Sequence, residues 1–168
     1  MISAIVIDIK DPEGLAATLA CLTPAAVDGL VKELILPEAG ADPAALEVGE
    51  DAGARIIAGG VALACAAARQ PWLLVLPEGV RLQIGWERLV RAHIKRWPEA
   101  GGWFELNYAS GGVGARAAEA AANAGARWLG LRRAEHGLLV PARQAAGGLG
   151  RIKGLRAIRA RILCGGIG

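Results

Sequence analysis

Trp72-Leu73-Leu74-Val75-Leu76-Pro77-Glu78-Gly79-Val80-Arg81-Leu82 is the stretch on which the fold of this chain turns. Five apolar residues run without a polar interruption and stop at Pro-Glu-Gly, a turn-forming triplet. A strand that alternates polar and apolar residues shows one face to water. One that is apolar throughout is covered on both faces, as in a parallel sheet sandwiched by helices. The same pattern recurs upstream. Ile2 to Ile9 (ISAIVIDI) is β-branched and almost continuously apolar, Leu30 to Leu36 is a second such run stopped by Pro37, and Ala54 to Ala58 is a short third.

Between these runs lie helix signals. Asp11-Pro12-Glu13 gives a capping Asp, a Pro at the first helical position and an acid in the first turn, all complementary to exposed amides and the positive end of the helix dipole. Leu15, Leu19 and Leu22 then recur at helical spacing, and Thr23-Pro24 is the expected end. Asp42-Pro43 repeats the opening for a helix through Asp51, with Gly53 as terminator. Gly59-Gly60 leads into an alanine-rich helix. Four strands alternating with helices through short connections predict a parallel, helix-covered sheet with right-handed crossovers.

Downstream, Trp86, Leu89, Val90, His93, Ile94 and Trp97 mark one face of a helix over 86–97, and His93 reads as a structural residue of that face. Trp103 to Tyr108 alternates as a strand. Gly111-Gly112 reads as a loop, 115–129 as a long alanine-rich helix and Gly137 to Val140 as a short strand. Pro141 to Ala146 reads as a helical turn before Gly147-Gly148. Residues 151–163 place Ile152, Leu155, Ile158 and Ile162 on one helical side and arginines on the other, predicting an amphipathic helix. No repeat or linker divides the chain, so 1–168 is expected to be one domain.

The chain has 168 residues, 54% of them hydrophobic and only 4% aromatic, ample for a buried core of aliphatic strands and small-residue helices. The longest apolar run, Val61 to Ala68, is too short to span a bilayer. With no basic region before an apolar stretch at the start, no signal peptide is expected. Cys21, Cys65 and Cys164 lack any paired or ligand-like spacing, and the first two fall in helical patterns; free thiols in a reducing cytoplasm are the expectation, without zinc. The net charge is +3, and Arg151, Lys153, Arg156, Arg159 and Arg161 account for more than all of it, leaving −2 elsewhere. A basic segment confined to 151–163 is not a nucleic-acid surface. Its apolar stripe and arginine face also fit contact with an anionic membrane surface, although packing on the sheet serves the stripe as well.

In an open parallel sheet, ligands lie outside the carboxyl ends of the strands. That places Asp8 to Asp11, Pro37 to Asp42, Gly59-Gly60 and Pro77 to Gly79 on the rim. Turn formation alone also accounts for their composition. No Walker A loop or GxGxxG fingerprint follows the first strand. Ser3 and Ser110 are the only serines, and neither sits in a nucleophile elbow.

Several segments taken in order resemble family 2 glycosyltransferases. Asp28-Gly29-Leu30-Val31-Lys32-Glu33-Leu34-Ile35-Leu36 is similar to the strand leading to that family's Asp-Gly-Gly-Ser. Glu47 to Arg55 resembles the helix-to-strand passage that follows. Trp72 to Leu82 with Gly85-Trp86-Glu87 resembles the strand ending in an acidic motif, then Arg/Lys-Leu and Pro-Gly-Trp. Glu135-His136-Gly137-Leu138-Leu139, with Gly147-Gly148 beyond, is similar to a Gly-Asp-Gln-Gly-Leu segment. The resemblance implies a three-layer α/β/α sandwich, Rossmann-like and of GT-A type, with a mostly parallel sheet. It also implies transfer of a sugar from a nucleotide-diphospho-sugar to an unidentified acceptor.

Carried over by position, the resemblance gives nucleotide binding to Asp8, Asp11, Glu38, Glu78 and Gly79. A Mg²⁺ or Mn²⁺ ion would fall to Glu78, and Glu135 or His136 would act near the acceptor. The departures are specific. The metal-binding Asp falls on Gly79, the base-reading Asp on Glu38, the neighbouring Ser on Ala41, and Pro-Thr on Asp8-Ile9. Arg156-Ala157 stands where a Glu-Asp pair supplies the catalytic base. Glu78 reads equally as a turn residue, His136 as a partly exposed, solvated loop residue, and Trp72 and Trp86 as core. Trp103 is the tryptophan expected near a ligand. The alternative implied is a non-catalytic relative that binds a nucleotide, a glycan or a protein partner, with no metal.

Overall fold

The computed structural model describes residues 1–108, 118, 120–121, 123, 136–145, 149 and 155–164. Its strands are β1 (Ile2–Ile7), β2 (Val31–Pro37), β3 (Arg55–Ile57), β4 (Trp72–Pro77), β5 (Val80–Leu82), β6 (Gly102–Tyr108), β7 (Leu138–Pro141) and β8 (Arg156–Cys164). The helices are α1 (Pro12–Val27), α2 (Pro43–Asp51), α3 (Val61–Ala67), α4 (Trp86–Arg96) and the single turn α5 (Ala142–Ala145). The strands form one eight-stranded sheet in the order β3-β2-β1-β4-β7-β6-β8-β5. β1 pairs in parallel with β2 and β4, and β2 with β3, so the four strands expected to be parallel are. β7 runs antiparallel to both β4 and β6, while β8 is parallel to β6 and antiparallel to β5.

Period-two alternation within near-continuous apolar strands feeds two cores. Ile2, Ala4 and Val6 of β1 join Leu15, Leu19 and Leu22 of α1, Ala45 of α2, and Trp86 and Val90 of α4 on one face. Ile5 of the same strand joins Ile35, Leu73, Ala64 and Cys65 of α3, and Ala145 of α5 on the other. The result is the three-layer α/β/α, Rossmann-like sandwich expected from the sequence. Among the described residues no helix is long and apolar enough to cross a membrane.

The caps act as read. Asp11 accepts from the Gly14 amide at 2.7 Å and Asp42 from the Ala45 amide at 3.0 Å, each ahead of a Pro at the helix start. α1, however, does not stop at Thr23-Pro24; it continues through Pro24 to Val27. A proline in the last turn removes only one intrahelical donor. Here the helix ends instead at Gly29, whose φ of 69° is the left-handed conformation suited to glycine.

The larger correction is at 151–163. No helix covers 156–164; those residues are β8. Ile158, Ala160 and Ile162 are all buried, a two-residue repeat that coexists with the helical one in the same sequence. β6 on one side and β5 on the other satisfy its backbone groups, and that pairing decides the outcome. Over the described part of that segment the helical stripe that suggested membrane contact does not form, since Ile158 and Ile162 face the core. The expected loop at Gly111-Gly112 and the glycines at 147–148 lie outside the described residues. So does most of the helix expected over 115–129, although Ala118, Ala120, Ala121 and Asn123 are helical.

Candidate functional site

Strand order reverses between β1 and β4: from β1 the chain proceeds outward to β2 and β3, then returns to the other side of β1. Outside the carboxyl ends of such a pair the connecting loops part and leave a crevice. Asp8 sits at the end of β1, exposed, and is the one non-glycine residue among those described with positive φ, at 57°. Asn and Asp are the L-residues that enter that region most readily, and the turn it makes leaves the Asp8 side chain exposed on the rim. Lys10 and Asp11 follow, also exposed, and Glu38 is exposed at the end of β2.

Glu78 reaches across the switch point. Its Oε2 accepts the backbone N–H groups of Lys10 at 2.5 Å and of Asp11 at 3.0 Å, while its own amide donates to the Ile7 carbonyl at 2.9 Å. Gly14 permits this, because a Cβ there would lie 2.6 Å from Glu78 Oε1. The Gly79 amide adds a 3.3 Å bond to the Gly14 carbonyl. The turn after β4 is thus fastened to the loop between β1 and α1 by both side chain and backbone.

The neighbouring gap is also bridged. The Lys10 ammonium donates to the Gly40 carbonyl, and the Asp42 amide donates to the Ile9 carbonyl at 3.0 Å. Lys10 carried no weight in the sequence reading. The signal was there, as a single cation among the acids that follow the first strand. The rim therefore brings Asp8, Asp11, Glu38, Glu78 and Gly79 to the carboxyl ends of three adjacent strands.

Of the two residues that the resemblance set near an acceptor, Glu135 lies outside the described residues. His136 precedes β7, which begins beside the end of β4: Leu138 pairs with Val75, and a Cβ on Gly137 would meet Leu76. His136 is only 1% exposed, so it is not the solvated loop residue its neighbours suggested. Its ring lies edge-on to Trp103 with centroids 5.3 Å apart, and Trp103 is itself buried rather than presented to a ligand. Trp72 and Trp86 are core residues. His93 is structural: its Nε2 lies 2.9 Å from the Ala100 carbonyl, and desolvation pushes its pKa down against the opposing pull of that bond.

A divalent cation needs several hard oxygen ligands. At the position where the resemblance implied one, Glu78 already holds two amides with one oxygen and packs the other on Gly14. Gly79, beside it, has no side chain to offer a second carboxylate. Among the described residues no three His, Cys, Asp or Glu side chains gather as a metal site would require. This corner does not fit the ion.

No protein-family model matches the chain, and no curated protein matches it. Solved structures do. Glucosyl-3-phosphoglycerate synthase from Mycobacterium tuberculosis, in complex with Mn²⁺ and uridine-diphosphate-glucose, superposes with a TM-score of 0.57 at 16% identity, covering 86% of this chain and 57% of that one. A crystal structure described as a mycobacterial protein gives 0.57 at 17% identity, covering 98% and 65%. Residues 1–349 of S. aureus TarS give 0.54 at 12% identity, covering 66% and 37%. The chain thus spans a little over half the length of the synthase, and shares with it the GT-A type of fold.

Proposed function

We propose that this chain binds the nucleoside-diphosphate part of a nucleotide sugar across the carboxyl ends of β1, β2 and β4, and serves sugar transfer to an acceptor. The observation that carries the reading is the reversal of strand order between β1 and β4 in a fold shared with a synthase whose structure holds uridine-diphosphate-glucose. Asp8 and Glu38 flank the loops a nucleoside would lie across, and carboxylates there suit the donors of a base or ribose. Asp11, Glu78 and Gly79 shape the floor beneath the diphosphate.

In the transfer itself, the acceptor oxygen bonds to the sugar's anomeric carbon as the bond to the diphosphate breaks. The nucleoside diphosphate leaves, and the acceptor's proton passes to a base. Glu135 and His136 are the residues assigned to that side. His136 stands on the approach to β7, next to the end of β4, where its low exposure suits orienting a neighbour as well as taking a proton. The synthase structures hold Mn²⁺ with the donor; because Glu78 is engaged elsewhere, no step here is assigned to a metal.

Melting the protein against a panel of nucleotide sugars tests the reading. A matched donor at 100 times its dissociation constant adds about 2.7 kcal/mol, a shift of about 5–10 °C for a chain this size. A Glu135→Gln, His136→Gln double variant should keep that shift and lose transfer by about 10²–10⁴-fold. Absence of a shift with every donor rules out the nucleotide reading. A donor shift without transfer by the unmodified chain favours the non-catalytic alternative.

A further inference from the structure

The loops at the switch point are held together by the chain's own carboxylate, and this bears on how the site meets its ligand. Glu78 comes from the turn between β4 and β5, yet its partners are backbone amides 67 and 68 residues earlier. Those amides belong to the loop that carries Asp8, Lys10 and Asp11. A carboxylate accepting two N–H groups makes charge-assisted bonds, stronger than neutral ones and defined in direction. Gly14 is needed to let it approach, and the Gly79–Gly14 backbone bond holds the same two segments from a second point. Lys10, whose amide Glu78 fixes, sends its ammonium on to the Gly40 carbonyl, so the clasp extends from β4 through β1 to β2.

A metal ligand would look different. It would turn its lone pairs outward, beside a second carboxylate on the same turn. Here that second position is Gly79, in a left-handed conformation. We infer that Glu78 is a positioning residue that sets the loop between β1 and α1, and that the nucleotide corner beside it works without a divalent cation. The inference rests on the proposed nucleotide site for its ligand. The clasp itself, and the lack of a cation there, can be measured with no nucleotide present.

Three proteins separate the roles: the unmodified chain, Glu78→Gln and Glu78→Ala. Gln keeps a carbonyl oxygen able to accept both amides but is a poor ligand for Mn²⁺. Ala can do neither. Each is melted in EDTA and in 1 mM Mn²⁺ at roughly millimolar excess over weak sites, and free Mn²⁺ is followed by electron paramagnetic resonance. The expected result is that Glu78→Ala melts about 3–6 °C lower while Glu78→Gln recovers at least half of that loss. Mn²⁺ should move none of the three, and its spectrum should stay that of the free ion.

Where a nucleotide sugar binds, its affinity for the unmodified chain and for Glu78→Gln should agree within about threefold, in EDTA as in Mn²⁺, with Glu78→Ala at least about tenfold weaker. Glutamine failing as badly as alanine, or Mn²⁺ raising the melting temperature of the unmodified chain alone, would overturn the inference. So would a donor that binds only with Mn²⁺. If no nucleotide binds to any of the three, the proposed function fails, while the melting and resonance results still decide the role of Glu78.

Discussion

Glu33 shows what one residue holds at the end of the sheet opposite the rim. Its carboxylate accepts from the Ser3 hydroxyl at 2.5 Å, the Arg55 guanidinium at 2.6 Å and the Arg69 amide at 2.9 Å, and its side chain is 10% exposed. Ser3 is wholly buried and donates here, while its oxygen receives the Gln70 amide. Burial by itself would raise the Glu33 pKa; the bonds from Ser3, the Arg69 amide and Arg55 outweigh it and hold the pKa below 4.5. A depressed carboxylate stabilises the fold fully above its unfolded pKa and loses that contribution as pH falls through the folded one. The stability of the unmodified chain to urea should therefore fall below about pH 4.5, with Glu33→Gln showing a smaller decline over the same range. At pH 7 the variant should be about 1–3 kcal/mol less stable, because Arg55 and Ser3 lose a charged partner. Equal acid sensitivity in both proteins would remove Glu33 from the account. None of this was legible beforehand. Glu33 looked like a polar position in an apolar strand, and its partners lie 22 to 36 residues away. The rim was more readable, since Asp11 and Asp42 act through neighbours three residues on. Glu78 could be placed at a turn, but its reach to Lys10 and Asp11 depends on strand order.

At the scale of elements, the division runs between signals that are local and signals that need a partner. Asp-Pro caps, terminating glycines and strand-ending prolines act within a few residues, and they marked β1 through α3, although α1 runs past its expected end at Thr23-Pro24. β8 had no such marks. The sequence over 151–163 satisfies a 3.6-residue repeat through Ile152, Leu155, Ile158 and Ile162, and a two-residue repeat through Ile158, Ala160 and Ile162. Only the presence of β6 and β5 as hydrogen-bonding neighbours selects the second. Ala160 discriminates the two, because a helix would turn it away from the isoleucine stripe, whereas in β8 it is fully buried. Ala160→Glu should cost at least about 3 kcal/mol, since an unpaired carboxylate enters the core where there is also no room for its stem. Denaturant unfolding or soluble yield would show it. A variant as stable as the parent would return 151–163 to a surface helix.

For the molecule as a whole, two places among the described residues can be weighed as the seat of a ligand, and hydrogen exchange can decide between them. The rim lies at the carboxyl ends of β1, β2 and β4. At the other end of the same strands a groove of about 400 Å³ opens between α1 and β2, lined by Leu19, Leu22, Thr23, Lys32, Glu33 and Gly53 among others. The groove offers volume, but its character does not suit a polar ligand. Its walls include Leu19 and Leu22, which already pack in the core, and Glu33, whose carboxylate is committed to Ser3, Arg55 and Arg69. The rim presents backbone of four loops together with the exposed groups of Asp8, Lys10, Asp11 and Glu38. Polar recognition of a nucleotide needs such groups, and a crevice where strand order reverses gathers them by topology rather than by shape. A bound donor should therefore slow amide exchange at 8–14, 38–42, 58–60 and 78–79, because these amides either meet the ligand or belong to loops it immobilises. The amides of 52–54 and 69–70, at the opposite end, should change only with global stability. Protection confined to 22–34 and 52–54 would move the site to the groove and separate this chain's ligand from the one that its fold suggests.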